Sequence, residues 1–333
     1  MKTKIREIYG TLLDIMTVSG FAARNAEKVR DAVLSYTKGF FAAEDVSISV
    51  HGSVTFERKP LGESGGTLLI DAHIDTVGMA VSEILPGGFL ACTNSGGIDS
   101  RILPSLAVRI HGKGETIKGV FCSVPPHLSG GKEPKAPKMS ELYIDTGRST
   151  AELEKICPVG TPISYVTETV TFAAGEGERI CSPYLDDKIC ATAAIAAISE
   201  LSCADLKCGV ILNLSANEET NGEGALRAAE RKASAALVLD VNFACGKGVP
   251  EYVCAPIGEG VSISYSSATS RRLTKLLEDT LVREGLPFKR IIETCDTGTD
   301  ATRLAFSRFA TPCAVMSVPI SYMHTPCECA SLS

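Results

Sequence analysis

No apolar run in the 333-residue chain reaches the ~18 residues that a membrane-spanning helix needs. The amino terminus, Met1-Lys-Thr-Lys-Ile-Arg6, lacks the apolar core of a signal peptide and leads into a polar amphipathic pattern. A cytoplasmic protein is the expectation. No long basic stretch is present, and 39 acids outnumber 33 bases for a net charge of −6. That balance argues against a partner bound by phosphate neutralisation, so no nucleic-acid partner is expected. The segment Gly62-Glu-Ser-Gly-Gly-Thr67 lacks the lysine of a phosphate-binding loop, and no internal repeat is evident.

The 13 cysteines are an odd number scattered along the chain. Without a secretion signal they read as reduced thiols used as small apolar residues. Cys327-Glu-Cys329 lacks zinc-knuckle spacing and has no second cysteine pair to complete a site. Hydrophobic residues make up 44% and charged residues 22%, ordinary for a soluble globular protein. The length allows one large domain, or a main domain carrying a second.

Helical spacing of Ile5, Ile8, Leu12, Leu13, Ile15 and Met16 predicts a first helix, and a second is expected over 25–38. Short strands are expected at 46–50, 54–56 and 67–70. From 189 onward, helical and strand-like segments alternate: helices at 189–201, 224–232, 269–284 and 300–306, strands at 209–215, 236–239, 261–265, 288–292 and 314–316. This alternation implies an α/β fold, a sheet with helices on both faces. Residues 78–182 differ, being rich in Gly and Pro with short β pieces at 106–110 and 164–172, and a loop over 124–139. They read as an inserted small all-β domain, leaving 1–77 and 183–333 as a discontinuous main domain.

Five potential metal ligands lie beside five separate segments: His73, Asp186, Glu219, Asp240 and His324. His73, Glu219, Asp240 and His324 follow apolar runs, where open α/β sheets place their ligands, and Asp186 precedes a helix. Two imidazoles and three carboxylates suit zinc, cobalt or manganese. Asp75 and Glu218 each lie beside a proposed ligand and are free to serve the site without binding metal. The pattern points to a two-metal hydrolase. Each piece alone has a plainer reading. Asp186-Asp187 alone would be an acidic helix start, and Glu218-Glu219 a loop charge pair. His51, His111 and His127 read as ordinary polar residues, Cys313 and Cys327 as packing residues and not nucleophiles.

The runs Asp71-Ala-His-Ile-Asp-Thr-Val-Gly78, Leu185-Asp-Asp-Lys188, Asn217-Glu-Glu219, Leu239-Asp-Val241 and Tyr322-Met-His-Thr-Pro-Cys-Glu328 resemble the glutamyl aminopeptidase or TET-type family of co-catalytic metallo-aminopeptidases. Some of its members carry an endoglucanase name. Gly96-Gly-Ile-Asp-Ser-Arg101, Arg109-Ile-His-Gly112 and Pro125-Pro-His-Leu128 are similar to that family's inserted domain. The resemblance implies a mixed sheet, two divalent ions per chain and hydrolysis of the amino-terminal bond of peptides. It implies that Asp186 bridges the ions, His73 and Asp240 complete one site, and Glu219 and His324 the other. It further implies that Asp75 hydrogen-bonds His73, that Glu218 takes a proton from the attacking water and returns it to the leaving amine, and that the Asp186–Asp187 peptide is cis. Homo-oligomers are implied too, dimers built into a twelve-subunit shell.

Asn217-Glu-Glu-Thr-Asn221 and Ser321-Tyr322 depart from the family's Gln-Glu-Glu-Val-Gly and Arg-Tyr, which puts substrate preference in question and leaves the ligands intact. The chain ends nine residues after His324, where relatives continue into another helix, so a shortened chain is an expectation. A related di-metal carboxypeptidase or deacylase is the rival enzyme, and it needs a cationic clamp for a carboxylate. A glycosidase needs no metal cage. A silent, metal-stapled oligomeric scaffold has no use for the spare base Glu218.

Overall fold

The computed structural model describes residues 2–60, 65–128, 136–174, 177–201, 206–294 and 296–332. Residues 62–64 of the glycine-rich segment and 129–135 of the expected loop lie outside them. Ile8 with Leu12, and Tyr9 with Leu13, give α1 (Lys2–Asp14) one buried stripe. α2 (Ala26–Thr37) buries Val29 and Val33 in the same way and ends where Lys38 and Gly39 turn left-handed. The chain continues through β1 (Val46–Ile48), β2 (Val54–Arg58) and β3 (Thr67–His73). β3 runs past the apolar residues expected to end it and carries Asp71 and His73 inside the strand.

A small closed barrel follows, built from β4 (Gly78–Leu85), β5 (Phe89–Ser95), β6 (Ala107–His111), β7 (Thr116–Phe121), β8 (Tyr143–Asp145) and, after α3 (Thr150–Ile156), β9 (Pro162–Tyr165). Its core is filled by Met79, Leu90, Val108, Ile110, Phe121, Ile144 and Ile163, all fully buried. α3 interrupts the expected all-β texture, and its signal is the capping box Ser149-Thr-Ala-Glu152: Ser149 Oγ accepts from Glu152 N–H while the Glu152 carboxylate accepts from Ser149 N–H. β10 (Val170–Ala174) and β11 (Gly177–Ser182) then form a hairpin outside the barrel. The stretch 164–172, expected as one β piece, is thus split. The residues of β9 are all buried in the barrel, whereas β10 is largely exposed.

The remainder alternates as expected: α4 (Leu185–Ser199), β12 (Gly209–Ser215), α5 (Glu223–Ala229), β13 (Ala235–Ala244), the short β14 (Cys254–Ala255), β15 (Val261–Tyr265), α6 (Arg271–Arg283), β16 (Phe288–Ile292), α7 (Asp300–Ala305), β17 (Cys313–Ile320) and β18 (Glu328–Ser331). β18 joins the β10–β11 hairpin. The main sheet has the order β1-β2-β12-β3-β13-β17-β15-β16, with β14 beside β13. β12, β3, β13 and β17 run parallel, while β2 and β15 pair antiparallel with β12 and β17, so the sheet is mixed. Every residue of β12 is buried, as in a parallel strand covered on both faces. Leu212 and Leu239 share a core with α1, α2 and α4, whereas Ile211, Val238 and Val315, one residue out of phase, pack against α5 and α7. All described cysteines are free thiols, and no described helix is long and apolar enough to cross a membrane.

Candidate metal centre

The four central parallel strands bring the residues singled out above to one end of the sheet. His73 is the last residue of β3, Asp240 lies inside β13, Glu218 and Glu219 follow β12, and His324 follows β17. Asp240, expected just past a strand, is within one because β13 pairs with β17 as far as Phe243. Asp186 sits in the first turn of α4, where it and Asp187 depart from helical backbone, and the peptide joining them is cis.

Asp186 is the centre of the cluster. Its Oδ1 is 2.9 Å from His73 Nε2 and its Oδ2 is 3.2 Å from His324 Nε2. Glu219 Oε2 lies 3.3 Å from His324 Nε2, while Glu218 Oε2 and Asp240 Oδ1 each lie 3.9 Å from His73 Nε2. His73 Nδ1 is 2.9 Å from the backbone carbonyl of Asp75 and 3.6 Å from its carboxylate. That carboxylate accepts from the backbone N–H groups of Glu218 and Glu219, at 3.1 and 3.3 Å. Donor atoms of His73, Asp186 and Glu219 lie within 4.8 Å of one another, as do those of His73, Asp187 and Asp240. His111, in contrast, pairs with Ser164 in the barrel, and His51 and His127 are exposed. The Cys313 thiol is buried, its pKa pushed up to about 12, which denies it a nucleophile's role.

The electrostatics are those of a crowded anionic cage. Burial and neighbouring carboxylates push Glu219, Asp187 and Asp240 well above the usual carboxylate range. Burial, together with Asp300, Asp186 and Asp75, raises Glu218 to about 8 against the opposing pull of His73. Burial acts the same way on Asp186, but its hydrogen bonds to His324 and His73 prevail and hold it below the usual range. Burial disfavours the charged form of His73, yet Asp186, Asp75 and Glu218 raise its pKa.

Residues 52–333 match the family model described as M42 glutamyl aminopeptidase. The chain belongs to the M42 family. It is therefore a peptide hydrolase of the metal-dependent aminopeptidase kind. Its sequence is 27% identical to the lysyl aminopeptidase of Pyrococcus furiosus, over 97% of this chain and 91% of that one. Its fold superposes on an aminopeptidase from Desulfurococcus kamchatkensis with a TM-score of 0.87 at 26% identity, covering 99% of this chain and 91% of that one. The Pyrococcus horikoshii TET1 peptidase, which can assemble into a tetrahedron or a large octahedral shell, has the same fold, with a TM-score of 0.82 at 24% identity and coverage of 98% and 94%.

The cage of this M42 chain fits divalent cations on its own terms. Two imidazoles face a surplus of buried carboxylates, and Glu219 Oε1 is cut off from solvent with no hydrogen-bond partner. Imidazole and carboxylate donors together suit zinc, cobalt or manganese. A cavity of about 250 Å³ opens on the cluster. A wider cleft of about 540 Å³, between the start of α2 and strands β6 and β7, contains none of these groups.

Four contributors had little or no readable sequence signal. Glu328 is buried and accepts the backbone N–H of Asp186 at 3.0 Å and of His324 at 2.7 Å, tying two proposed ligands together. It stands in the run that carries the resemblance but had no distinguishable role there. The Gly97 carbonyl, from the loop after β5, lies 2.8 Å from His324 Nδ1, so Nδ1–H donates to it and Nε2 faces the cage. Asp71 and Asp300, both buried, form a hydrogen-bonded group with Asn213 and Ser215. Asp71 had a faint signal, an acid inside a strand covered on both faces.

Proposed function

We propose that this chain is a two-ion aminopeptidase that removes single residues from peptide amino termini, with Glu218 as its general base. The observation that carries the reading is that Asp186 presents one carboxylate oxygen to each imidazole while Glu218 stands beside the pair. Asp186 is then the shared ligand, His73 and Asp240 complete one position, and Glu219 and His324 the other. Two divalent ions held there supply Lewis acidity toward the scissile carbonyl and acidify the attacking water. Glu218 accepts that water's proton and delivers it to the leaving amine. Asp75 holds the backbone of Glu218 and Glu219 and restrains His73. The ligand carboxylates with Asp75 and Glu218 offset the charge of two dications, so a substrate ammonium meets no strong repulsion.

A carboxypeptidase or deacylase is disfavoured because, among the described residues, no lysine or arginine lines the cavity at the cluster as a clamp for a substrate carboxylate. Zinc or cobalt is the expected ion, with manganese a third. We further propose a cytoplasmic homo-oligomer of dimers, up to a dodecamer, with residues 78–182 shaping substrate access and subunit contact, and 1–77 with 183–333 performing catalysis. The test is a panel of aminoacyl chromogenic substrates, assayed with each metal, beside the same substrates with blocked amino termini. Cleavage only of free amino termini is expected. Equal cleavage of blocked substrates would overturn the aminopeptidase reading.

A further inference from the structure

The cavity at the metal cluster extends away from it along one face of the sheet. Ser262 and Ser264 are two residues apart on β15, so their side chains share a face. Ser262 Oγ accepts from Asn242 Nδ2 at 3.1 Å, and Ser264 hydrogen-bonds the Glu293 carboxyl. Asn242 and Glu293 both line the cavity that also contains Asp240, Ser317 and His324. Two strand residues span about 6.8 Å. Glu293 and Asn242 are therefore offset along the strand by roughly the reach of a lysine's four-carbon stem.

One oxygen of Glu293 lacks a partner where it sits. Its Oε2 is shielded from solvent and accepts no hydrogen bond. Burial pushes its pKa up to about 7, the Ser264 hydrogen bond opposes this, Asp296 adds to it, and no cation stands among the causes. Val241, Phe243 and Met323 give the cavity apolar walls, and among the described residues no lysine or arginine lines it. Arg303 approaches Asp296 but belongs to the neighbouring cavity. A half-buried carboxylate with an unsatisfied oxygen, in the wall of a cavity that contains the cluster, is suited to a cationic partner.

We propose that Glu293 binds the side-chain cation of the substrate's first residue, making this enzyme selective for peptides that begin with lysine or arginine. The stem of that residue packs against Phe243 and Met323, and its charged end pairs with the Glu293 carboxylate in the cavity wall. An acidic first residue is repelled by Glu293, and an apolar one leaves the carboxylate unpaired. The placement of the first residue in this cavity rests on the aminopeptidase reading above.

Two measurements on the metal-loaded full-length protein test the proposal. The first is calorimetric binding of free L-lysine against L-norleucine, which has the same stem without the ammonium. Lysine is expected to bind about 10- to 100-fold more tightly, and Glu293→Gln to erase that advantage. Equal binding by the unmodified protein overturns the proposal without recourse to any variant. The second compares kcat/KM for the lysyl, arginyl, leucyl and glutamyl p-nitroanilides. The basic pair should lead by at least about tenfold, and Glu293→Gln should remove that lead, lowering the ratio of basic to leucyl kcat/KM by at least about tenfold. A leading leucyl or glutamyl substrate, or an equal loss on all four, overturns the assignment. Failure of every free-amino substrate would count against the aminopeptidase reading instead, and the lysine–norleucine comparison would still decide the role of Glu293.

Discussion

His73 and Asp186, 113 residues apart in sequence, meet through Nε2 and Oδ1 at 2.9 Å. Asp186 turns its other oxygen to His324, so among the described residues it is the one carboxylate that touches both imidazoles. Removing it should therefore empty both metal positions, whereas removing a peripheral ligand should empty one. Elemental analysis of Asp186→Asn is expected to find little or no bound metal. Asp240→Asn should retain about one ion of two, and both variants should lose at least ~10³-fold in kcat. Retention of two ions by Asp186→Asn would refute the shared-ligand assignment.

Glu218→Gln separates the base from the ligands. The amide is nearly isosteric but cannot accept and return a proton, so fold and metal content should be unchanged. General acid–base catalysis contributes ~10²–10⁴-fold, and kcat should fall by at least that range's lower end. Glu219→Gln should also lower metal occupancy, because Glu219 is placed among the ligands. Near-normal turnover of fully metallated Glu218→Gln would mean that Glu218 is only a charge beside the site.

Glu328 touches the proposed ligands only through their backbones, at Asp186 N and His324 N. Glu328→Ala leaves both N–H groups without an acceptor and frees the two segments to move. Metal affinity, measured by competition with a chromogenic chelator, should weaken by about 10- to 100-fold, and excess metal should largely restore activity. An unchanged metal affinity would show that the ligands hold their positions without this brace.

Much of the site could be read from the chain because each ligand is a polar residue placed where an apolar segment stops or a helix starts. Strand lengths were less legible for the same reason. Asp71 and Asp240 interrupt the apolar pattern of β3 and β13, and pattern reading ends a strand at the first such break. The short helix α3 was visible in its capping box but hidden by the Gly- and Pro-rich texture around it. The contact of Gly97 with His324 had no side-chain signature, since a backbone carbonyl carries none. Glu293, just past β16, gains its meaning only from the cavity that it lines together with β13.

His111 supplies a pH test away from the metal centre. Its Nε2 pairs with Ser164 Oγ at 2.8 Å inside the barrel. Burial, then the charges of Arg109 and Arg24, lower its pKa to about 4, from about 6.5 in an unfolded chain. Because the folded value is depressed, the stabilising contribution is fully present above about pH 6.5. It is lost as the pH falls toward 4, where the unfolded chain binds the proton more readily. His111→Gln retains hydrogen bonding but does not titrate. In chelator-treated samples, denaturant unfolding at a series of pH values should show a shallower acid loss for the variant. The gap should be about 1–2 kcal/mol near pH 4.5 after allowance for the partial exposure of the ring. Metal content at pH 7.5 should be identical in the two proteins, since His111 lies outside the cage. Parallel stability curves would show that His111 does not titrate in this environment, and a loss of metal in the variant would bring the barrel into the catalytic site.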